Sequence, residues 1–297
     1  MKIVVIGAGS VGMLLASFLA ERFQVTVLVR RKEQEEAIRK HGIHRINLDG
    51  TITRLPVNVS TKYEDIRSDS FVIVAVKYTH LKEVLPRLEK LPEDIPLLFV
   101  QNGLAHFDEV LKLPQKTIGF GSCQFGAQKE NDHTVNHRGI GVLKLAVERG
   151  KTGDFQWFSK VESASFPVQF VDDAEKMLFE KALYNCFINP LTAVLQIKNG
   201  ELLTNRHAYI LLKALYEECM EAFPERRETV SFEDVVSLCK KTASNSSSML
   251  QDRLLNRKTE VESIVGAVIK KAEKNGKSLP ILKTLYHLVL ALEGEKT

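Results

Sequence analysis

One apolar segment, residues 177–195, carries a lysine and two asparagines at helical spacing. Lys181, Asn185 and Asn189 follow one another at intervals of four residues, so a helix places their side chains on one stripe. An ammonium group can stabilise developing negative charge and donate a proton, and amides can donate and accept hydrogen bonds. The stripe is therefore the first candidate for a catalytic surface. Pro190 lacks an N–H and disfavours a helical conformation for the residue before it, which predicts a kink or break at Asn189.

The neighbours of this stripe bear on its interpretation. Leu183, Phe187 and Leu191, also four residues apart, form another face that suits core packing. The structural alternative is a surface helix whose polar face is simply solvated. Asparagine is a mediocre helix former, and burying a polar group without a hydrogen bond costs about 1–3 kcal/mol. We therefore expect the polar stripe to face a cleft.

The N-terminal residues have the pattern of a dinucleotide-binding turn. A short β-branched run from Lys2 to Ile6 is followed by GAGSVG and then by an apolar helical pattern. In such a turn Gly7 permits the tight bend, Gly9 lets the main chain approach a pyrophosphate, and Gly12 allows close helix–strand contact. The helix N-terminus receives the phosphate charge. The residues predicted to bind the cofactor here are Gly7, Ala8, Gly9, Ser10, Val11 and Gly12.

The run from Val25 to Val29 is the second predicted strand, and with the first strand and the helix it forms a βαβ unit. The residues at the end of this strand select the cofactor. An NAD site places Asp or Glu there, whereas the 2′-phosphate of NADP needs a cation. The chain has Arg30 and Arg31 at this point, with Lys32 behind them, and the first acid is Glu33. The alternative interpretation is that these basic residues are only the solvated start of the next helix. Two adjacent arginines favour NADP(H), through bidentate contacts to phosphate.

Two further polar clusters follow buried strands. The run from Phe71 to Val76 leads into Lys77, and the run from Pro96 to Val100 leads into Gln101, Asn102 and Gly103. Open α/β sheets bind ligands at the carboxyl ends of their strands. For Asn102-Gly103 alone, ordinary turn chemistry is an equally good explanation.

The remaining patterns predict an α/β fold with two domains. Asp49-Gly50 between alternating runs predicts a hairpin with a two-residue turn. After Lys116 the chain is strand-rich, which extends the sheet in mixed or antiparallel fashion, and from Asp173 onward nearly every segment has helical periodicity. We therefore predict an N-terminal Rossmann-type dinucleotide-binding domain over residues 1–170 and a C-terminal all-helical domain over residues 171–297.

Composition excludes several classes of protein. The 297 residues are 44% apolar and 26% charged, which is typical of a soluble globular protein. The net charge of +4 comes without a basic run interleaved with aromatics, which argues against nucleic-acid binding. No uninterrupted apolar run approaches ~20 residues, so we expect no membrane span. Four widely separated cysteines without a CxxC pair favour reduced thiols in the cytoplasm.

Histidine pairs and a serine run are the remaining local features. His41 with His44, and His133 with His137, have spacings that metal sites also use. Neither pair is accompanied by a cysteine or acidic motif, so we interpret them as loop histidines and expect no metal site. The run from Asn245 to Ser248 has, by composition, the character of a flexible linker.

Together these motifs resemble the ketopantoate reductases (2-dehydropantoate 2-reductases), from Met1 to about Gly266. Five motifs carry the resemblance, and the fourth is the most specific. In chain order they are GAGSVG with its downstream arginine, Val76-Lys77, Gln101 to Gly103, KALYNCFINPLTA from Lys181 with NGEL from Asn199, and SSMLQD from Ser247 with TEVE from Thr259.

The resemblance implies a role for each matched residue. Lys181 corresponds to the catalytic lysine of the family, and Glu260 to an acid beside the cofactor and the reacting centre. Arg30 corresponds to the residue that reads the adenosine phosphate. Lys77, Asn102 and Ala127 are further cofactor-binding positions. The implied substrate-binding residues are Asn102, Lys181, Asn185, Asn189, Asn199 and Ser248.

Four positions depart from the family pattern. Ala105 stands where many relatives have a second glycine, and Ser244 replaces an expected glutamate. Glu262 stands for an aspartate and Val265 for an asparagine. None of these changes removes a matched catalytic group. The last three lie near the substrate end, so they leave the identity of the 2-oxo acid more open than the type of reaction.

The resemblance implies NADPH-dependent reduction of 2-dehydropantoate (ketopantoate) to (R)-pantoate in pantothenate and coenzyme A biosynthesis. The partner is then a small-molecule 2-oxo acid. Two alternatives stay open: a reductase of another branched 2-oxo acid, and a non-catalytic NADP-binding sensor. Retention of both Lys181 and Glu260 argues against the sensor. A homodimer is compatible with the sequence, because exposed apolar helix faces cannot be distinguished from core faces at this level.

Overall fold

The computed structural model describes residues 1–294 and divides into two compact units. The first unit comprises Met1–Gln101 and Asp108–Met177, and the second comprises Asn102–Phe107 and the chain from Leu178 onward. The short segment Asn102–Phe107 therefore belongs to the second unit, although it directly follows a strand of the first.

The first unit contains twelve strands and four α-helices. The strands are β1 (Lys2–Ile6), β2 (Gln24–Leu28), β3 (Ile43–Ile46), β4 (Ile52–Leu55), β5 (Asn58–Ser60), β6 (Ser70–Val74), β7 (Leu97–Phe99), β8 (Ile118–Cys123), β9 (Gly126–Lys129), β10 (Thr134–Gly139), β11 (Leu143–Arg149) and β12 (Val168–Phe170). The helices are α1 (Ser10–Leu19), α2 (Lys32–His41), α3 (Tyr78–Leu88) and α4 (Phe107–Val110), the last of which starts at the boundary of the second unit. Two 3₁₀ segments, Tyr63–Asp65 and Thr152–Lys160, complete the list.

The main sheet has eight strands in the order β12-β11-β8-β7-β6-β1-β2-β5. From β5 through β8 each neighbouring pair is parallel, whereas β11 runs antiparallel to β8. The central strand β1 lies in register between β2 and β6, with Ile3 opposite both Val25 and Phe71. The carboxyl ends of β2, β1 and β6 consequently lie side by side, at the edge where such sheets bind ligands. The predicted Rossmann-type domain is confirmed.

A second, four-stranded sheet has the order β4-β3-β10-β9. The predicted hairpin is confirmed as β3 and β4, but its turn is longer than two residues. The backbone N–H of Asn47 donates to the carbonyl of Thr51 at 2.8 Å, and Gly50 takes a left-handed φ of +83°. The strands after Lys116 were expected to extend one sheet. That is right for β8, β11 and β12 and wrong for β9 and β10, which pair with each other and, through β10, with β3.

Helix α1 packs against the main sheet with almost no exposed surface. Residues 12–19 of this helix are all buried, including Leu14, Leu15 and Leu19 at 1% exposure or less. Each fully buried leucine contributes roughly 1.5–3 kcal/mol relative to an exposed one. This packing holds the glycine turn, which precedes α1, at the end of β1.

The second unit is helical, as the sequence predicts from Asp173 onward. Its helices are α5 (Ala174–Leu195), α6 (Glu201–Thr204), α7 (Arg206–Ala222), α8 (Phe232–Lys241), α9 (Ser248–Leu254), α10 (Ala267–Lys274) and α11 (Pro280–Glu293). A π-helical turn, Glu262–Gly266, precedes α10. Within residues 1–294, no helix combines the length and the apolar character needed to cross a membrane.

Helix α5 continues through Pro190, so the break expected at Asn189 is wrong. The helix spans 22 residues, although Pro190 removes one hydrogen bond at a typical cost of about 3 kcal/mol. Residues 186–193 are buried on every side, and the hydroxyl of Thr192 donates to the carbonyls of Ile188 and Asn189 at 2.9 and 3.0 Å. Tertiary packing thus outweighs the local preference. The predicted core face of Leu183, Phe187 and Leu191 is confirmed.

Candidate active site

The glycine turn has the shape that a dinucleotide requires. Gly7 has a left-handed φ of +103°, and a Cβ there would lie 3.0 Å from the backbone nitrogen of Val76. A Cβ on Gly12 would lie 1.9 Å from the carbonyl oxygen of Gly7. At Gly9, by contrast, an added Cβ would meet no atom within 4 Å. Two glycines are therefore required by close packing, and the third borders open space that a ligand can fill.

The N-terminus of α1 is suited to binding an anion. Gly9 occupies the N-cap position without a side-chain cap, and the first turn contains no acidic residue. The first N–H groups of a helix have no partner within it, and the helix dipole adds partial positive charge at the same end. Together with the open space at Gly9, this arrangement fits the pyrophosphate of a dinucleotide.

The other candidate cofactor residues of the first unit lie around the same edge. Arg30 follows β2, and Lys77 follows β6 at the N-cap position of α3. Because β2, β1 and β6 are adjacent and parallel, Arg30, the glycine turn and Lys77 lie at one end of the sheet. The side chain of Arg30 is 69% exposed, and its guanidinium lies 3.6 Å from the carboxylate of Glu83. Ala127 lies in β9 of the four-stranded sheet.

In the second unit, α5 carries the polar stripe that the sequence predicts. Since the helix is continuous, Lys181, Asn185 and Asn189 share one face. Lys181 and Asn185 are half-buried, and Asn189 is only 6% exposed. A solvated surface helix would expose these groups. The stripe is therefore enclosed rather than solvated.

Two more candidate residues, Asn102 and Glu260, are joined by a hydrogen bond. The Nδ2 of Asn102 donates to Oε2 of Glu260 at 2.9 Å. The residue after Asn102, Gly103, has a φ of +85°, and a Cβ on it would lie 2.0 Å from the carbonyl oxygen of Ser263. That same oxygen accepts a hydrogen bond from the N–H of Leu104 at 3.0 Å. These contacts fix Asn102–Phe107 against the π-helical turn. Turns of this kind are often found at functional sites.

His106 is a residue of this region that the sequence analysis missed. Its side chain is completely buried, and burial, together with the positive charge of Lys181, lowers its pKa from 6.5 to about 3. The imidazole is therefore neutral at physiological pH and lies within electrostatic range of Lys181. Its only sequence signal is its position four residues after Asn102, on the same short segment.

Asn199 and Ser248 are positioned by the loop that precedes α9. The backbone N–H of Asn199 donates to the carbonyl of Asn245 at 3.0 Å, and its Nδ2 donates to Oγ1 of Thr242 at 2.9 Å. Ser247 caps α9 by accepting from the N–H of Leu250, and its hydroxyl also shares a 2.7 Å hydrogen bond with the hydroxyl of Thr192 on α5. The expectation of a flexible linker here is wrong, because these bonds hold the loop. They leave Ser248 exposed at the first position of α9.

The predicted site residues thus fall into two sets. The set in the first unit consists of the glycine turn, Arg30, Lys77 and Ala127. The set in the second unit consists of Asn102, Lys181, Asn185, Asn189, Asn199, Ser248 and Glu260. In the second set, the segment Asn102–Phe107 makes two connections. Its Asn102 is hydrogen-bonded to Glu260, and its His106 lies within electrostatic range of Lys181.

Comparison with known proteins identifies the family. Residues 3–149 match the family model described as ketopantoate reductase PanE/ApbA, and residues 173–293 match its C-terminal model. A 2-dehydropantoate 2-reductase from Listeria monocytogenes is 38% identical over 297 residues, covering 99% of this chain and 98% of the relative.

Solved structures agree with this assignment. A probable 2-dehydropantoate 2-reductase from Bacillus subtilis is 33% identical, with a TM-score of 0.88 over 98% of this chain and 100% of that one. Two more distant structures share the fold. A D-mandelate dehydrogenase with NADH has a TM-score of 0.86 at 23% identity, covering 99% and 98% of the two chains. A dimeric ketopantoate reductase from Staphylococcus aureus has a TM-score of 0.75 at 22% identity, covering 99% and 100%. The chain therefore belongs to the ketopantoate reductase PanE/ApbA family, a family of dinucleotide-binding oxidoreductases.

Proposed function

We propose that this protein catalyses the NADPH-dependent reduction of 2-dehydropantoate to (R)-pantoate, for pantothenate and coenzyme A synthesis. Residues 1–170 bind NADP(H), and residues 171–297, together with Asn102, carry the groups that act on the substrate. The observation that supports this most directly is the enclosed stripe of Lys181, Asn185 and Asn189, in a chain that belongs to a family of 2-dehydropantoate 2-reductases.

Lys181 is the catalytic residue of this proposal. The bound nicotinamide supplies a hydride to the carbonyl carbon of the substrate. As the carbonyl oxygen gains negative charge, the ammonium group of Lys181 stabilises that charge and donates the proton that completes the hydroxyl group. His106 supports this role because it is buried and neutral, so it brings no second positive charge next to Lys181.

Glu260 provides the compensating charge. A partly buried ammonium is stabilised by a carboxylate in its surroundings, and the carboxylate of Glu260 is oriented by the amide of Asn102. A second role for Glu260 is to orient the hydroxyl group of the substrate. Either role requires the Asn102–Glu260 hydrogen bond to hold the carboxylate in one place.

The substrate carboxylate and hydroxyl group are bound by neutral donors. Asn185, Asn189 and Asn199 offer amide groups, and Ser248 offers a hydroxyl at the start of α9. Asn199 also offers an acceptor for the substrate hydroxyl group, because its buried Oδ1 has no hydrogen-bond partner among the described residues. Neutral donors bind an anion less strongly than an arginine does, which favours release of the acid product.

The choice of NADP(H) rests on the residues after β2. Arg30 and Arg31 follow this strand where an NAD site would place an acid. A guanidinium group matches a phosphate with two parallel hydrogen bonds. The arginine pair thus supports NADP(H) over NAD(H) as the cofactor.

A substrate panel tests this function. Purified protein is mixed with NADPH or NADH and with 2-dehydropantoate or other branched 2-oxo acids, and loss of reduced cofactor is followed by absorbance. We expect the highest kcat/KM with 2-dehydropantoate and NADPH. A higher value with another 2-oxo acid would favour the sister reductase, and NADPH binding without oxidation by any acid would favour the sensor.

We further infer that the protein is a cytoplasmic homodimer. Tyr209, Ile210 and Leu211, adjacent on α7, are 37–53% exposed, which is the character of an interface with a second copy. The dimeric relative from Staphylococcus aureus supports the same state. The four cysteines are free thiols, in keeping with a reducing compartment. Light scattering of the purified protein should give twice the mass of the chain.

A further inference from the structure

The hairpin of β9 and β10 is attached to the glycine turn by hydrogen bonds. The backbone N–H of Lys129 donates to Oγ of Ser10 at 3.2 Å. The side chain of Gln34, on α2, donates to the carbonyl of Ala8 at 3.0 Å and to the carbonyl of Asp132 at 3.1 Å. Gln34 is only 6% exposed. The loop between β9 and β10 is therefore a neighbour of the cofactor turn, although more than 100 residues separate them in the sequence.

This attachment brings three charged side chains together after β2. The Oδ1 atom of Asp132 accepts a hydrogen bond from Nζ of Lys129 at 2.8 Å and another from the guanidinium of Arg31. The hydrogen bond from Lys129, more than that from Arg31, holds the pKa of Asp132 below its usual value. Two cations thus share one carboxylate oxygen, and the group carries a net charge of one positive unit.

A purely structural role explains this group poorly. Partly exposed ion pairs contribute about 0–1 kcal/mol, and these side chains are 25–47% exposed. The hairpin is already attached by Gln34 and Ser10. An excess positive charge at the end of β2 is, however, what recognition of a ribose 2′-phosphate requires.

We propose that Lys129 and Arg31 bind the adenosine 2′-phosphate beside Arg30, and that Asp132 is a resident counter-ion that this phosphate displaces. The inference rests on the proposed function for its choice of NADP(H). A phosphate carries up to two negative charges and three acceptor oxygens, so it can satisfy both cations better than one carboxylate does. Asp132 is 29% exposed, so its carboxylate can turn to solvent when it is displaced.

If Asp132 is a counter-ion, removing its charge and removing the charge of Lys129 should have opposite effects on phosphate binding. Removing the charge of Lys129 removes an attraction for the phosphate. Removing the charge of Asp132 removes both a competitor for the cations and a repulsion toward the phosphate. Neither change alters a residue of the glycine turn, where the pyrophosphate is proposed to bind. Adenosine 5′-monophosphate, which lacks the 2′-phosphate, should therefore bind equally well to both variants.

The test is calorimetric titration of the full-length chain with adenosine 2′,5′-bisphosphate and with adenosine 5′-monophosphate. We expect Lys129→Met to weaken binding of the bisphosphate about tenfold, the usual loss for one charge-assisted hydrogen bond. We expect Asp132→Asn to strengthen it by about threefold or more. The matched controls are Lys116→Met and Asp94→Asn, which alter another surface pair at the same 2.8 Å separation and should change neither ligand.

Three outcomes would overturn the inference. An unchanged ratio of the two affinities in Lys129→Met would remove Lys129 from the subsite. Weaker bisphosphate binding by Asp132→Asn would mean that Asp132 orients the cations instead of competing for them. A wild-type protein that does not distinguish the two nucleotides would contradict the choice of NADP(H) itself. No 2-oxo acid is present in the titration, so failure of the proposed reaction with 2-dehydropantoate would leave these results unaffected.

Discussion

At the scale of single residues, the proposed catalysis depends on the charge states of Lys181 and His106. Lys181 must be charged to stabilise and protonate the carbonyl oxygen, and His106, which feels that charge, is neutral because it is buried. Lys181 could be found in the sequence because its spacing with Asn185 and Asn189 is local. His106 could not be found, because its low pKa results from burial that only the folded chain creates.

Replacing Lys181 tests its catalytic role. We expect Lys181→Ala to lower turnover by about 10²–10⁴-fold, the usual contribution of a general acid. The dissociation constant of NADPH should change little, because the phosphate-binding residues are intact. Stopped-flow or steady-state rates, with cofactor binding followed by fluorescence, measure both quantities. Lys213→Ala, at an exposed position on α7, is the control, and wild-type turnover in Lys181→Ala would contradict the assignment.

The buried imidazole of His106 makes stability depend on pH. The unfolded chain takes up a proton on this residue below its ordinary pKa of 6.5, whereas the folded protein does so only near 3. The unfolded state therefore binds more protons in this range, and the stability present above pH 6.5 is lost as the pH falls toward 3. One such histidine accounts for about 2 kcal/mol of the loss between about pH 7 and about pH 5.

Urea unfolding of His106→Gln at these two pH values measures this contribution. We expect the variant to lose about 2 kcal/mol less than the wild type, because it has no imidazole to protonate. Burial also lowers the pKa of His133 and His137, so only the difference between the two proteins is informative. His207→Gln, at an exposed position, should lose as much as the wild type. The same loss in His106→Gln would mean that His106 is not buried as a neutral group.

At the scale of elements, Asn102–Phe107 positions groups that the sequence could not bring together. The Gln-Asn-Gly motif indicated a polar strand end, but its contact with Glu260 spans 158 residues. Two predictions from local sequence were wrong: the break in α5 at Asn189 and the flexible linker at the serine run. In both places tertiary contacts outweigh local preference: the buried surroundings of Pro190 in α5, and the hydrogen bond between Thr192 and Ser247 in the serine run. Strand and helix positions were predictable because their apolar periodicity is local.

Gly103 should be the most sensitive position of this segment. Gly103→Ala forces a left-handed conformation, at about 1–2 kcal/mol, and places a Cβ against the carbonyl of Ser263. Gly276→Ala is the matched control, since Gly276 also has a positive φ of +68° but an added Cβ meets nothing within 4 Å. We expect Gly103→Ala to lose about 2 kcal/mol more in urea unfolding. Equal losses would show that the crowding at Ser263 is relieved without cost.

At the scale of the whole molecule, the proposed function gives the two sets of candidate residues different tasks. The glycine turn and the cations after β2 belong to the first unit, and Lys181 with its companions belongs to the second. The family assignment extends over both units. The sequence indicated this division through the change from strand-rich to helical patterns near residue 173.

In the proposed reaction a hydride moves from the nicotinamide to the carbonyl carbon of 2-dehydropantoate. The most direct test uses NADPH that carries deuterium at both C4 positions, with mass spectrometry of the product. We expect pantoate that is one mass unit heavier than the product made with ordinary NADPH, with the deuterium at C2. Pantoate without deuterium, or no pantoate at all, would contradict the account.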